Sequence, residues 1–328
     1  MEKTDDNMKS PKELRKLSLL AEVAGDYYER GLDQNTIAER LCLSRTRISR
    51  LLKEAEEKGI VDIKVTINYP FERHYVLEER FKNSFALNDV RILNNRNREK
   101  FTIPDDVSSL AASYIMDSLK KDMVIGTSWG TTLSNTVKHL QQTNIPIRIV
   151  QLMGAVPCSS TTYTPQGIVS GMSDIFGKKG NFLNLPLYIE DDYVRSAICK
   201  DPNNSKILNQ GVFSDMVLTS VNDVESIQKK EFWLGYMTSE MYNEICEKGA
   251  VGAMFARFFD KNGKEIDCAW NRRCVSISFQ NMKQVPNVVL IASGREKVNA
   301  ISCAIKNGLA NTLITDGTTA SYILGLNK

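Results

Sequence analysis

Four cationic side chains fall within the ten residues from Ser44 to Lys53, and no acidic residue accompanies them. Guanidinium and ammonium groups at this density suit a phosphate-rich partner, and arginine can also donate paired hydrogen bonds to guanine in the major groove. The apolar residues of the segment recur at a spacing of three and four, which predicts a helix that buries one face and presents the cations on the others. The candidate DNA contacts are Ser44, Arg45, Thr46, Arg47, Ser49, Arg50 and Lys53.

Roles within this set follow from the docking geometry of a recognition helix, whose first residues reach base edges. Arg45, Thr46 and Arg47 are therefore candidates for base readout, and the remaining four for phosphate contacts. The simpler interpretation is a helical hairpin whose arginines form a solvated surface. The neighbouring elements favour DNA binding.

Two loops rich in glycine and hydroxyl groups indicate a second site. The segment GTSWGTT (126–132) follows the apolar run DMVIG, SGREK (293–297) follows NVVLIA, and a helical pattern comes after each. Glycine lets the backbone approach a ligand closely and helix-start amides bind anions, although each loop could instead be a capped turn. Together they predict a pocket for a small phosphorylated ligand. Its candidate contacts are Gly126, Thr127, Ser128, Trp129, Gly130, Thr131, Thr132, Gly294, Arg295 and Lys297.

The cationic helix is expected to be the second helix of a helix-turn-helix that spans Leu32–Lys53. The first helix begins after Asp33, whose carboxylate can cap it, and the turn at 41–43 is too short for another role. The alternating run 60–65 predicts a strand that forms a wing, so the whole is expected to be a winged helix-turn-helix. An earlier helix, Leu14–Tyr28, packs beneath the pair through Leu17, Leu20, Ala21, Ala24 and Tyr28.

At 328 residues the chain is long enough for one small and one large domain. We expect a winged helix-turn-helix domain at residues 1–67, a connecting helix at 68–88, and a ligand-binding and oligomerisation domain at 89–328. Residues 1–67 contain 13 Lys and Arg and 13 Asp and Glu, so the cationic character is confined to one helix. A DNA-binding domain without net charge (a DNA-binding head, residues 1–67) binds DNA weakly by itself. This predicts that several heads act together in an oligomer.

Beyond residue 89, short apolar runs alternate with helical patterns, which predicts a doubly wound α/β fold with a parallel sheet. Ligands of such sheets bind where the carboxyl ends of strands lead into helices, and both glycine loops occupy that place. The expected strands are Val90–Leu93, Asp122–Gly126, Ile147–Leu152, Phe182–Leu185, Met216–Thr219, Ala250–Met254, Val275–Ser278, Asn287–Ala292 and Thr312–Thr315. The expected helices include Asp105–Leu119, Gly130–Gln141, Lys297–Asn307 and Thr318–Gly325.

The helix-turn-helix together with the motifs GTSWGTTL, VQLMGAV (150–156), RFFDKNGKEID (257–267), SGREKVNAI and NTLITDGTTA resembles the SorC family of bacterial transcriptional regulators, and most of all its deoxyribonucleoside-regulator branch. The resemblance covers the chain from about Leu14. It implies an effector domain similar to sugar-phosphate isomerases that senses a phosphorylated sugar or polyol, and a tetramer on double-stranded operator DNA, commonly as a repressor of a carbohydrate-use operon. It also implies contacts to sugar hydroxyls by Gln151, Gly154, Gln166, Asp267 and Asn271.

Met153 stands at the end of the VQL segment, where a lysine could form an imine with an open-chain sugar. A thioether has no such chemistry. We therefore expect the effector to bind noncovalently and Met153 to pack in the floor of the pocket.

The alternative function is that of a sugar-phosphate isomerase, which needs a general base and acid beside the sugar carbon. The chain has two histidines, His74 and His139, and both lie in helical patterns away from the glycine loops. The spacing of the aspartates selects no base. We therefore expect a regulator without catalytic residues. The aspartates considered are Asp174, Asp191, Asp192 and Asp267.

The seven cysteines are an odd number without a CxxC pair, which is typical of reduced thiols rather than of a disulfide framework or a zinc site. The polar N-terminus lacks a signal sequence, and no apolar run is long enough to cross a membrane. We therefore expect a cytoplasmic protein with no cofactor, no metal and no membrane partner.

Overall fold

The computed structural model describes residues 10–62, 73–95, 98–156, 161–229 and 236–325. The chain divides into two compact units, Met1–Asn68 and Tyr69–Lys328. The described part of the first unit is helical. Its α-helices are α1 (Pro11–Ala24), α2 (Gln34–Arg40) and α3 (Arg45–Glu57).

The two helices around the predicted turn begin at the expected residues. The Asp33 carboxylate accepts a hydrogen bond from the amide of Thr36 (3.0 Å) at the start of α2. The Ser44 hydroxyl accepts one from the amide of Arg47 (3.3 Å) at the start of α3. Both caps satisfy amides that would otherwise lack a partner at a helix start.

The buried face of α3 is the one that the residue spacing predicts. Its apolar residues pack with one face of α1 and one face of α2 in a single hydrophobic cluster, so α3 is oriented with its cationic residues outward. The fully packed members are Leu20, Val23, Ala24, Ile37, Ala38, Ile48, Leu51, Leu52 and Ala55.

The apolar side of the first helix differs from the prediction. Ala21 and Tyr28 are exposed, whereas Tyr27 packs against the core. The shift from Tyr28 to Tyr27 arises because α1 gives way to a π-helical turn at Gly25–Glu29, which holds an extra residue and rotates the side chains from that point on. That rotation turns the carboxylate of Asp26 inward.

Asp26 is fully buried (0 % exposed) between two arginines. Arg30 Nη1 lies 2.6 Å from its Oδ1, and Arg40 contacts its Oδ2 while also reaching Glu22 (3.0 Å). A buried carboxylate is stable only when it is paired. Because Arg40 lies in α2, this ion-pair network joins α1 to α2.

The turn between α2 and α3 is closed by a residue with left-handed backbone. Cys42 has a φ of 53°, and the amide of Leu43 donates to the carbonyl of Ala38 (2.9 Å). This bond satisfies a carbonyl at the end of α2.

The strand predicted for the wing falls only partly within the described residues. Ile60 and Val61 pack against the core of the first unit as a bend. The rest of that strand, 63–65, lies outside the described residues.

The second unit alternates helices with strands. Its strands are β1 (Asp89–Leu93), β2 (Val124–Thr127), β3 (Arg148–Gln151), β4 (Met216–Thr219), β5 (Asn222–Asp223), β6 (Ala250–Met254), β7 (Arg257–Asp260), β8 (Asn287–Ile291) and β9 (Thr312–Asp316). Its α-helices are α4 (Tyr75–Ser84), α5 (Ile103–Ser118), α6 (Thr131–His139), α7 (Pro165–Phe176), α8 (Asp192–Cys199), α9 (Pro202–Val212), α10 (Ser239–Glu247), α11 (Ala269–Arg273), α12 (Phe279–Met282), α13 (Val298–Lys306) and α14 (Gly317–Gly325).

Six strands form a parallel sheet in the order β1-β9-β8-β4-β2-β3, which confirms the predicted α/β class. Successive residues of a strand face opposite sides: Val288 and Leu290 of β8 pack with α4, α13 and α14, whereas Val289 and Ile291 pack with α5, α6 and α7. Both faces of the sheet are therefore buried. This burial explains why its strands read as continuous apolar runs.

Three of the predicted strands have a different place in the fold. Phe182–Leu185 and Val275–Ser278 run beside other segments through isolated bridges only. Ala250–Met254 is a strand, but it belongs to an antiparallel sheet of order β5-β6-β7. A short apolar run indicates an extended buried segment and does not by itself indicate which partner it pairs with.

The predicted connecting helix, α4, packs within the second unit. Leu77, Phe81 and Phe85 are buried, whereas Tyr75 is 54 % exposed because it is the first residue of the helix. The buried side lies against β1 and α14.

A buried carboxylate fixes α4 to β1. Glu78 is 4 % exposed and accepts hydrogen bonds from Arg73 through both oxygens (2.9 and 2.6 Å). Its Oε1 also accepts from the amide of Ile92 (2.9 Å), and the amide of His74 donates to the carbonyl of Ile92 (2.7 Å). The outward backbone groups of Ile92 are thereby paired.

We predict that Arg40→Met loosens the first unit. The substitution leaves the buried carboxylate of Asp26 with one arginine instead of two, which should cost about 1–3 kcal/mol. Hydrogen exchange on the full chain, followed at the amides of α1 and α2, measures the loss of protection. Arg50→Met is the matched control because Arg50 is exposed on α3; equal protection in both variants would contradict the prediction.

Candidate functional site

The order of the parallel sheet contains a reversal between β2 and β4. The chain passes from β2 outward to β3, and then returns to β4 on the other side of β2 and proceeds to β8 and β9. Loops that leave the carboxyl ends of β2 and β4 therefore diverge to opposite sides and open a crevice, the usual ligand site of doubly wound sheets. The first predicted glycine loop borders this crevice.

The loop after β2 presents a helix start that no described side chain caps. Ser128 is buried, its amide bonded to the carbonyl of Leu218 (3.0 Å) and its hydroxyl accepting from the amide of Trp129 (2.6 Å). Gly130, with a φ of 109°, is the N-cap of α6, and open space surrounds the position that a Cβ would occupy. The first amides of α6 have no partner within the helix. Thr131 is exposed and Thr132 half-buried beside them.

The loop after β8 also begins a helical turn at a glycine with left-handed backbone, but here the carboxylate of Glu296 lies where a Cβ of Gly294 would be. Gly294 has a φ of 115° and begins the short helical turn Arg295–Lys297, again without a side-chain cap. Its own amide donates to the hydroxyl of Thr319 (2.9 Å), which fixes the loop against α14. The Arg295 guanidinium lies over the ring of Tyr322, 4.8 Å from its centroid.

Lys297 is half-buried and forms no ion pair with any residue in the described ranges. Burial lowers the pKa of its ammonium, and the nearby carboxylates of Glu296 and Asp223 offset part of that effect. A desolvated cation without a contacting counter-ion is energetically costly, and a bound anion would relieve the cost.

Two other helix starts at this edge of the sheet are capped by side chains. Thr164 caps α7 through a hydrogen bond from the amide of Gly167 (3.1 Å). The buried carboxylate of Asp316 accepts from the amides of Thr318 and Thr319 (2.9 and 3.0 Å) at α14. The starts after β2 and β8 have no such cap, and neither does the start of α5 at Ile103 after β1.

The loop after β4 lies between these two loops, because β4 stands between β2 and β8. It leads into β5, where Asp223 Oδ1 accepts a hydrogen bond from the amide of Ser226 (2.8 Å). Asp223 Oδ2 is buried and has no hydrogen-bond partner among the residues that the structure describes. Asp223 is not among the contacts predicted from the sequence. Its position four residues beyond the end of β4, at the reversal of strand order, is the signal that could have identified it.

Several predicted contacts have packing roles in the structure. A Cβ at Gly126 would overlap the side chain of Leu152, and a Cβ at Gly154 would lie 2.6 Å from the amide nitrogen of Leu187. Both glycines thus permit close packing of backbone. Thr127 is fully buried, and its hydroxyl has no partner within the described ranges.

Gln151 and Met153 lie inside the domain at the end of β3. Gln151 is fully buried and donates to the carbonyls of Met153 (2.7 Å) and Leu183 (3.2 Å), while its Oε1 has no described partner. Met153 is fully buried in the hydrophobic cluster that includes α4 and α13, in keeping with a packing residue. Gln166 is half-buried in the first turn of α7.

Asp267 and Asn271 border a different cavity, of about 490 Å³. Asn271 is 4 % exposed and forms two hydrogen bonds with the backbone of β7. It accepts one from the amide of Phe258 and donates one to the carbonyl of the same residue (both 2.9 Å). Asp267 is exposed and pairs with Arg272 (2.6 Å), which holds the pKa of its carboxyl below the usual range. Neither side chain is grouped with the glycine loops. The cavity is lined by Asp192, Arg195, Arg257, Glu265, Ile266, Asp267, Asn271 and Arg272.

The outward face of α3 carries the predicted DNA contacts. Its three arginines make no ion pair with any residue in the described part of the chain, and Lys53 lies 3.9 Å from Glu57. The exposed residues of this face are Ser44, Arg45, Thr46, Arg47, Ser49, Arg50 and Lys53.

The histidines have local partners. His74 Nδ1 accepts from the amide of Leu77 (3.4 Å) as the cap of α4, and His139 Nε2 lies 3.0 Å from Asp105 Oδ1. Within the described ranges no three His, Cys, Asp or Glu side chains are grouped as metal ligands. None of the described helices has the length and apolar character needed to cross a membrane.

Comparison with known proteins gives matches along most of the chain. The sugar-binding domain family Sugar-bind matches residues 69–325. The deoxyribonucleoside regulator of Bacillus subtilis (strain 168) is 30 % identical over 94 % of this chain and 98 % of its own length. The transcriptional regulator LsrR of Enterobacter sp. (strain 638) is 28 % identical over 94 % and 93 % of the two chains.

A solved structure shares the fold. The full-length sorbitol operon regulator SorC from Klebsiella pneumoniae matches with a TM-score of 0.71 and 24 % identity, over 94 % of this chain and 99 % of that chain. The likeness therefore extends through both compact units.

We predict that Gly154→Ala destabilises the second unit by about 1–3 kcal/mol, because the added methyl group would overlap the backbone at Pro186 and Leu187. Urea unfolding of the full chain, followed by the fluorescence of the buried Trp270, measures the change. Gly325→Ala is the matched control, since a Cβ there meets no atom within 4 Å. Unchanged stability of the Gly154 variant would return this glycine to the list of candidate ligand contacts.

Proposed function

The chain belongs to the SorC family of transcriptional regulators and carries its sugar-binding domain, and we propose that it represses a carbohydrate-use operon until a phosphorylated sugar or polyol releases it from DNA. The effector binds noncovalently in the crevice beside β2, β4 and β8. The observation that carries the proposal is the pair of helix starts, at Gly130 and Gly294, that lack side-chain caps beside the reversal of strand order.

The DNA contact is assigned to the outward face of α3. The caps at its start and the buried apolar face fix the orientation of the helix, and its arginines are left without ionic partners within the described chain. Unpaired exposed guanidinium groups retain their full capacity for phosphates and for guanine. In this arrangement Arg45, Thr46 and Arg47 read bases, and Ser44, Ser49, Arg50 and Lys53 hold phosphates.

The effector contact is assigned to the loops after β2 and β8. Amides at both helix starts donate to the phosphate, and Lys297 supplies a cation whose burial strengthens its attraction to an anion. Asp267 and Asn271, the predicted contacts to sugar hydroxyls, are less well supported. Asp267 pairs with Arg272, and Asn271 donates a hydrogen bond to the carbonyl of Phe258.

An isomerase function has less support. Its general acid and base would have to approach the sugar carbon, and the two histidines are instead placed at the cap of α4 and beside Asp105. The similar proteins described above carry the names of transcriptional regulators.

Linkage between the two units explains how a small ligand controls DNA binding. In a tetramer the affinity for an operator depends on the spacing of the DNA-binding heads. An effector that favours the incompetent arrangement by about 3 kcal/mol lowers operator affinity about a hundredfold. A ligand with equal affinity for both arrangements has no effect.

We predict that Arg47→Ala weakens binding to the operator much more than binding to a random duplex, by about 1–3 kcal/mol, because it removes a base contact. Fluorescence anisotropy with both duplexes at fixed salt measures the two losses. Arg80→Ala is the control, since Arg80 is exposed on α4 in the second unit. Equal losses on both duplexes would identify Arg47 as a phosphate contact.

The decisive experiment titrates the operator complex with phosphorylated sugars and polyols. We expect one of them to lower operator affinity at least tenfold, while its unphosphorylated form has little effect because the helix-start amides and Lys297 then have no anion to bind. The panel includes phosphate esters of deoxyribose and of sorbitol, because the names of two similar regulators contain deoxyribonucleoside and sorbitol. Lack of response to every compound would contradict the sensor function, and turnover of any compound would favour an enzyme.

A further inference from the structure

Asp223 lies in the segment that follows β4, close to the proposed effector crevice. β4 lies between β2 and β8, so the segment that follows it passes between the two glycine loops. The helical turn Arg295–Lys297 packs against β5, which contains Asp223. A ligand held by both glycine loops would therefore lie beside this residue.

One oxygen of Asp223 is committed and the other is not. Oδ1 accepts the hydrogen bond from Ser226, which fixes the orientation of the carboxylate. Oδ2 is buried and has no donor among the residues of the described ranges. A buried acceptor without a donor carries a desolvation cost, which a donor from a ligand would remove.

The neighbouring charge is not sufficient to satisfy this oxygen. The negative charge of Asp223 offsets part of the lowering of the pKa of Lys297, yet no ion pair within 4 Å joins the two side chains. The ammonium and the carboxylate are therefore separate groups of opposite charge in one crevice. A phosphate suits the first group and is repelled by the second, whereas a hydroxyl can donate to the second.

We propose that Asp223 accepts a hydrogen bond from a hydroxyl of the effector and thereby selects ligands that carry both a phosphate and a free hydroxyl group. The inference rests on the proposed function of the crevice. Lys297 and the helix-start amides hold the phosphate, and Asp223 distinguishes a sugar or polyol phosphate from a simple phosphate ester.

The test compares Asp223→Asn with two other variants in the full chain. The Asn oxygen can still accept from Ser226, so the local fold is retained, while an NH2 donor replaces the oxygen that would accept from the ligand. Asp174→Asn is the matched control, because Asp174 is an exposed aspartate of the same unit. Lys297→Met removes the proposed phosphate contact.

The probes are methyl phosphate, which has no carbon-bound hydroxyl, and the panel of sugar and polyol phosphates described above. Isothermal titration calorimetry and ligand-observed NMR measure the dissociation constants. We expect Asp223→Asn to weaken the best sugar or polyol phosphate about tenfold, since a hydrogen bond to a charged group is lost. Methyl phosphate should keep its affinity within twofold or bind more tightly. Lys297→Met should weaken both classes, and Asp174→Asn neither.

The outcomes separate the inference from the function on which it rests. If a sugar or polyol phosphate binds the unmodified chain and Asp223→Asn weakens neither probe, or weakens both equally, the role of Asp223 is wrong and the proposed sensor function stands. If no member of the panel binds the unmodified chain, both are wrong.

Discussion

The burial of both faces of the parallel sheet is the constraint on which the second unit depends. Helices must cover each face, so the chain has to cross the sheet repeatedly, and each crossing starts a helix near the carboxyl edge. Every such start has amides without intrahelical partners. Thr164 and Asp316 fill two of these starts from within the chain. The starts at Gly130 and Gly294 have no side-chain cap among the described residues.

Local sequence patterns predicted a helix well where the burial of one helix face determines how it packs. The spacing in α3 identified its buried side because helix packing depends on residues three and four apart. The same reasoning was less successful at Tyr28, since a π-helical turn changes the period within a helix. It also misplaced Phe182–Leu185 and Val275–Ser278, because strand pairing depends on distant segments that no local pattern encodes.

The residues of the candidate site likewise divide into those that a local sequence pattern identifies and those that it does not. The glycine loops could be identified because they combine a strand end, a glycine and a helix start within a few residues. The packing roles of Gly126 and Gly154 could not, because the atoms that exclude a Cβ come from Leu152 and from the segment near Pro186. Asp223 was missed for a related reason. Its significance depends on β4 lying between β2 and β8, which only the strand order reveals.

The pairing of Ile92 with His74 and Glu78 has a consequence for how copies of the chain can meet. It closes the β1 edge of the sheet, and at the other edge Asn181 exchanges backbone hydrogen bonds with Ile149 and Gln151 of β3 (2.9 and 3.0 Å). Both edge strands of this sheet are thus partly covered, which disfavours aggregation by edge-to-edge addition. Association of copies by extension of the parallel sheet is thereby disfavoured relative to contacts made through side chains.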